Sequence, residues 1–323
     1  MITFSNSIRS IIMKYKHLFG PVPSRRLGIS LGIDLVPFKV CSFNCTYCES
    51  GATTNLTTDR KEYIPIDDVI IELDHYLTQK PELDYITFSG AGEPTLNSGI
   101  GRLIEFIKEK YPTYKLCLIT NSSLLSDANL RNEISPIDLL LPSLDAVSDI
   151  IFRKLNRSNP KIKINDIIEG LIKFRQESES VMWLEIFFVP GINDSDDELQ
   201  KLKEAILKIN PDQIQLNTLD RPGTEKNVKP LSRKKMEEIK TFFAPLPVEI
   251  IAKFKSRTKV KSFNSNIEER ILETLLRRPC TDKDLAEMLG LHLNELNKYI
   301  SNLIEKNKIC SEHLERGIFF RVL

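Results

Sequence analysis

Histidine is scarce and poorly placed for a metal centre. The 323 residues contain four, and those nearest the main cysteine-rich stretch, His17 and His75, lie well outside it without ligand-type spacing. No cysteine precedes Cys41, and Cys117, Cys280 and Cys310 are far apart, which argues against a second cysteine cluster. Cys117 reads as an ordinary strand residue. No apolar run reaches about 18 residues, so no membrane-spanning helix is expected. Charge of one sign is missing as well: 45 Lys and Arg against 44 Asp and Glu leave +1, with no global bias toward nucleic acid. Nothing upstream reads as a secretory signal, and six cysteines in a chain of this length point to a reducing, cytoplasmic location. Residues 1–13 are expected to form a frayed leader or weak helix, with Met13 a plausible start.

What is present is concentrated in Cys41-Ser42-Phe43-Asn44-Cys45-Thr46-Tyr47-Cys48. Three thiols at offsets of four and three can be aimed by one loop at one metal centre. An odd count at tight spacing disfavours a disulfide framework. A three-cysteine zinc site lacks a nearby histidine, and Ser, Asn and Thr between the thiols suit a loop better than a core strand. An iron-sulfur cluster is the first reading: three thiolates for four irons leave one iron open to substrate or cofactor.

Around this loop the apolar pattern alternates between strand and helix periods. Strands are expected at residues 29–36, 85–88, 115–119, 137–141, 181–189 and 213–217. Helices are expected at residues 66–77, 100–110, 166–174 and 195–209. The fold class is α/β with a parallel sheet and right-handed crossovers. A flat doubly wound sheet fits this alternation as well as a curled one does. Short polar and glycine-containing segments close the strands: Ser89-Gly90-Ala91-Gly92-Glu93-Pro94, Thr120-Asn121, Ser143-Leu144-Asp145 and Pro190-Gly191-Ile192-Asn193. Gly90 and Gly92 let backbone amides approach a ligand, and Glu93 offers a carboxylate to an ammonium group. Each segment also reads as a plain βα turn or helix cap.

The CxxxCxxC triplet with these segments, and with Gly20-Pro21-Val22-Pro23-Ser24-Arg25-Arg26-Leu27-Gly28 before it, resembles the radical S-adenosylmethionine (radical SAM) superfamily. The likeness is to an Fe-S oxidoreductase branch related to the wyosine-base synthases, over roughly residues 14–225. The resemblance implies a partial (β/α)6 TIM-type barrel and one 4Fe-4S cluster on Cys41, Cys45 and Cys48. S-adenosylmethionine would be held by Tyr47, Gly90, Gly92, Glu93, Thr120, Asn121, Ser143, Asp145 and Ile192, with Glu93 near its amine and Ile192 near the adenine. Reductive cleavage would yield a 5′-deoxyadenosyl radical that abstracts hydrogen from an RNA base, a peptide or a small molecule. A flavodoxin- or ferredoxin-type donor would supply the electron. Arg25, Arg26 and Arg221 are candidates for clamping a carboxylate or phosphate on the substrate. Wyosine-type relatives carry extra amino-terminal cysteines, which this chain lacks.

Beyond the core, residues 226–263 read as a basic connecting segment completing it. From Arg221 to Lys261 there are 12 Lys or Arg against 4 Asp or Glu, and the alternating run from Lys253 to Lys261 suits a cationic edge strand or a phosphate contact. Residues 264–323 read as a small winged-helix domain: helix 267–277, a helix capped by Thr281 and ending at Leu289-Gly290, helix 294–306, and a hairpin at Arg316-Gly317. With 9 basic and 10 acidic residues it lacks the cationic face of a DNA reader, so a docking or substrate-presenting role is favoured. The alternative function is a metal- or Fe-S-sensing winged-helix transcription regulator.

Overall fold

Near-continuous apolar runs such as Leu116-Cys117-Leu118-Ile119 mark strands covered on both faces, as a parallel sheet flanked by helices requires. The structure is a computed structural model that describes residues 15–24, 26–251, 267–291, 293–314 and 316–323. The expected leader, Arg25 and the run Lys253 to Lys261 lie outside the described residues.

The chain begins with strands β1 (Leu18–Ser24), β2 (Gly28–Asp34), β3 (Val40–Cys41) and β4 (Asn55–Leu56). Then follow α1 (Ile66–Leu77), β5 (Tyr85–Ser89), α2 (Ile100–Lys110), β6 (Leu116–Thr120), α3 (Ala128–Ile134) and β7 (Leu139–Pro142). Next come α4 (Asp149–Asn156), α5 (Ile164–Glu177), β8 (Val181–Phe188), α6 (Asp196–Ile209), β9 (Gln213–Thr218), α7 (Arg233–Phe243) and β10 (Val248–Ile250). The carboxyl-terminal module contains α8 (Ile267–Arg277), β11 (Cys280–Thr281), α9 (Asp282–Leu289), α10 (Leu293–Glu305), β12 (Ile309–Leu314) and β13 (Gly317–Val322).

Eight strands form one sheet in the order β1-β2-β5-β6-β7-β8-β9-β10, parallel throughout except for the antiparallel β1–β2 pair. The helix-facing side carries Leu31, Ile33, Ile86, Phe88, Leu118, Leu140, Ile186 and Leu216, all essentially buried. Each such side chain contributes about 1.5–3 kcal/mol of burial free energy. Helix α1 shows why its segment folds as it does: Ile66, Val69, Leu73, Tyr76 and Leu77 recur at helical spacing and are buried, while Asp67 and Asp68 favour the positive amino-terminal end. In α5, Gly170 lets the helix lie against the chain at Leu125, where a Cβ would meet the carbonyl carbon at 2.5 Å.

The short strands β3, β4, β10 and β11 were not expected from the pattern, nor were β1, α3, α4 and α7. Strand β1 contains Pro21 and Pro23, which read as a turn; it sits at the sheet edge, where a missing N–H costs no ladder bond. Helices α3 and α4 are only 7 and 8 residues long, and α7 is rich in lysine.

The module has its own apolar core of Ile271, Leu275, Leu285, Leu296, Ile300, Leu303 and Phe320, against which Val22 of β1 packs. In its three-stranded sheet β13 lies between β11 and β12. Thr281 and Asp284 form a reciprocal capping box on α9, which Gly290 terminates at φ +64°. Ionic contacts join module to core: Arg277 to Asp34 at 2.6 Å, Arg316 to Asp220 at 2.5 Å and Arg221 to Asp284 at 3.9 Å; within the module Arg316 also pairs with Asp284. The Arg277 guanidinium also lies 4.4 Å from the Phe19 ring centroid, and that ring covers Gly32 where a Cβ would collide.

Candidate functional site

The loop from Cys41 to Cys48 leaves β3 at the end of the sheet where the parallel strands finish, and distant backbone holds its shape. Asn44 N–H donates to Asn156 O at 3.0 Å, Thr46 N–H to Leu155 O at 2.9 Å, and Asn159 N–H to Ser42 O at 2.9 Å. From the far side, Glu225 N–H donates to Thr46 O and Thr224 Oγ1 to Cys48 O. A Cβ on Gly223 would meet Tyr47 O at 2.9 Å, so the segment after β9 packs directly on the loop. Phe43 anchors the loop in the core, edge-on to Phe152.

Every sulfur of the triplet faces an N–H donor. Lys39 Nζ lies 2.9 Å from Cys48 Sγ, Asn156 Nδ2 3.5 Å from Cys45 Sγ, and both Phe43 N and Asn121 Nδ2 approach Cys41 Sγ, at 3.5 and 3.6 Å. Burial pushes the Cys41 thiol up to about 12, partly offset by Lys39, and raises that of Cys45 further. Thiols so placed need a strong cation to stay ionised. Lys39 is 3% exposed; burial alone would lower its pKa, but the neighbouring sulfurs of Cys48, Cys41 and Cys45 raise it. Among the described residues, no three His, Cys, Asp or Glu side chains converge on a single metal-ion position.

The strand-end segments gather around this loop. After β5, Gly90 takes φ +133° beside Asp34, and Gly92 sits where a Cβ would meet Val40 O at 2.0 Å. Glu93 is fully buried: its Oε1 accepts from Thr95 N, Thr95 Oγ1 and Thr120 Oγ1, and its Oε2 from Asn121 N at 2.8 Å. Burial raises its carboxyl and these donors pull it back. Asn121 also donates to Ser42 Oγ at 2.8 Å, so Glu93, Thr120, Asn121 and the cysteine loop form one connected group.

Asp145 follows β7 and accepts from Tyr47 Oη, from Asn156 Nδ2 at 2.7 Å and from Phe187 N at 2.9 Å. Tyr47 stacks on Phe187 with centroids 3.9 Å apart, and Ile192 joins the apolar patch around them. The Tyr47 ring is thus packed under the loop. Ser143 accepts from Ser122 Oγ through its carbonyl. Arg221 is 6% exposed and pairs with Glu49, next to Cys48, at 3.2 Å. Arg26 stands apart, at the start of β2; it forms an ion pair with Glu185 of β8 and reaches Gln215 of β9 at 3.5 Å.

The pattern of the sequence missed Lys39, Asn156 and the module's Arg277 and Arg278. Lys39, two residues before Cys41, could have been noticed by proximity, and the Arg-Arg-Pro run was visible. Asn156 acts across 111 positions and has no local signal.

The Radical SAM superfamily model matches residues 35–202, and the chain belongs to that superfamily. It is 30% identical over 308 residues to UPF0026 protein MJ1312 of Methanocaldococcus jannaschii, covering 94% of each chain. It is 38% identical over 295 residues to a protein of Brachyspira hyodysenteriae named GTPase Obg, covering 91% of this chain but only 43% of that longer relative. In fold it resembles a radical SAM methyltransferase of Sphaerobacter thermophilus at a TM-score of 0.53 and 18% identity, covering 68% of this chain and 65% of that one. The protein is therefore an enzyme, and the cofactors of its family are a 4Fe-4S cluster and S-adenosylmethionine. Nothing in these likenesses supports the regulator alternative. No helix among the described residues is long and apolar enough to cross a membrane.

Proposed function

We propose that Cys41, Cys45 and Cys48 carry the 4Fe-4S cluster and that S-adenosylmethionine lies across the strand ends from Gly90 to Ile192. The carrying observation is an N–H donor on each of the three sulfurs, of which Cys41 is buried and Cys45 and Cys48 are half-buried, which suits thiolates bound to iron. In a four-iron cube each thiolate holds its own iron, so convergence on a single ion is not required. When bound and reduced, the two cofactors supply a 5′-deoxyadenosyl radical that takes hydrogen from the substrate. The chain's own residues bind and orient. Gly90 and Gly92 offer backbone to the cofactor, and Oε2 of Glu93, with one protein donor, keeps acceptor capacity for an amine. Asp145 and Tyr47 hold the loop against β8, and Ile192 extends the apolar patch beside them. A flavodoxin- or ferredoxin-type protein is the electron source.

The sheet is read as a partial barrel, and the Arg26 contacts support this. β2 stands four and five places from β8 and β9 in the sheet order, about 19–24 Å along a flat sheet at the usual strand spacing, far beyond one arginine side chain. The module is read as a winged-helix-like domain on its helix order and its β12–β13 hairpin. Lys306, just past the end of its third helix α10, pairs with Glu268 of α8, which suits internal packing better than reading DNA.

The test is anaerobic reconstitution with iron and sulfide. About four irons per chain and 5′-deoxyadenosine on adding dithionite and S-adenosylmethionine are expected, with Cys45→Ala losing both. Four irons without any cleavage would refute the cofactor assignment.

A further inference from the structure

Between the module and the sheet lies a cavity of about 310 Å³, at the small end of the range for ligand sites. It is lined by residues of β1, β2 and β5 on one side and of α8 and α9 on the other, and it reaches Ser89 and Gly90, where the glycine segment begins. Four arginines line it: Arg26, Arg221, Arg277 and Arg278. The first three have carboxylate partners: Arg26 in Glu185, Arg221 in Glu49 and in Asp284, which also lines the cavity, and Arg277 in Asp34. Arg278 has none among the described residues, and its Nη2 donates only to Met288 Sδ at 3.7 Å. Two buried polar atoms on lining residues also lack a polar partner, Nε of Arg277 and Oε1 of Glu287, whereas Nε of Arg221 lies 3.9 Å from Asp284 Oδ2. Buried polar atoms are nearly always satisfied, so these two, together with Arg278, leave the cavity wall short of polar partners.

We infer that this cavity is the substrate pocket and that it takes a small molecule bearing a phosphate or carboxylate with an N–H or O–H donor close by. The anion meets the Arg278 guanidinium, and the donor meets Glu287 on the same wall. The volume admits one nucleotide or one amino acid and no folded partner. Because Gly90 borders the cavity, the occupant lies next to the cofactor segment, and the module supplies the recognition that the core lacks. The identification of the occupant as substrate rests on the cofactor reading above; the existence of the anion site does not.

The experiment uses the reconstituted full chain with two separate readouts, equilibrium binding by calorimetry and 5′-deoxyadenosine yield. The probes are a nucleoside 5′-monophosphate, free glutamate and inorganic phosphate, with adenosine and matched chloride as controls. Binding of at least one anion, weakened about tenfold or more in Arg278→Gln and in Glu287→Gln for probes that carry a donor, is expected. Preference for the nucleotide over glutamate identifies a phosphate source, and the reverse a carboxylate. If no anion binds better than chloride, or if binding is unchanged in an Arg278→Gln chain of wild-type thermal stability, the inference fails. Binding without 5′-deoxyadenosine would instead overturn the cofactor reading and leave the anion site standing.

Discussion

Asp145 is an acid whose surroundings favour its neutral form: burial raises its pKa from 3.8 to about 6, and bonds from Tyr47, Phe187 N and Asn156 limit the rise. The fold therefore holds more protons than the unfolded chain between these values. The stability tied to Asp145 is complete below about pH 4 and is lost as pH climbs through about 6, on the order of 3 kcal/mol in all. Asp145→Asn should flatten that part of a urea-unfolding profile measured against pH. It should also lower stability by about 1–3 kcal/mol, since an amide NH2 would face donors. Lys39 is the other residue with a defined electrostatic task. Lys39→Met removes the cation at Cys48 and should reduce the iron retained after desalting, with little change in secondary structure by circular dichroism. The cysteines and the strand-end glycines were legible in the sequence because they lie in short local motifs. Asn156 was harder to see, since it acts through folding that brings distant positions together.

At the level of elements, Gly170 reverses an ordinary expectation. Glycine inside a helix usually costs up to about 1 kcal/mol relative to alanine, yet here a Cβ would strike the backbone of Leu125 and Ser126. Gly170→Ala should therefore destabilise, by about 1–3 kcal/mol, which a denaturant midpoint will show. Helices such as α1 and α2 were readable to the residue because their buried positions keep a strict 3.6-residue spacing. Helices α3 and α4 are too short for that spacing to accumulate, and β1 is disguised by prolines that only an edge position tolerates. The order of strands and helices was thus visible, whereas the antiparallel hairpin that opens the sheet was not.

For the whole molecule, the attachment of the module decides whether the chain melts as one body. Arg277 meets Asp34 of the core, and burial raises the Asp34 carboxyl while that guanidinium lowers it again. A double-mutant cycle with Arg277→Ala and Asp34→Ala should give a coupling of about 1–2 kcal/mol in urea unfolding, and wild type should lose both parts in one transition. Two separate transitions would mean that the contacts between module and core are incidental.

The brace around the cysteine loop has a consequence for how the protein is made. Its amides and carbonyls are tied to positions 155, 156, 159, 224 and 225. A ribosome that has just released Cys48 has produced only half of the hardware: the clamp is missing until some 175 further amino acids have emerged. The loop thus gains its braced shape only after most of the core has been made, long after its own residues have left the ribosome.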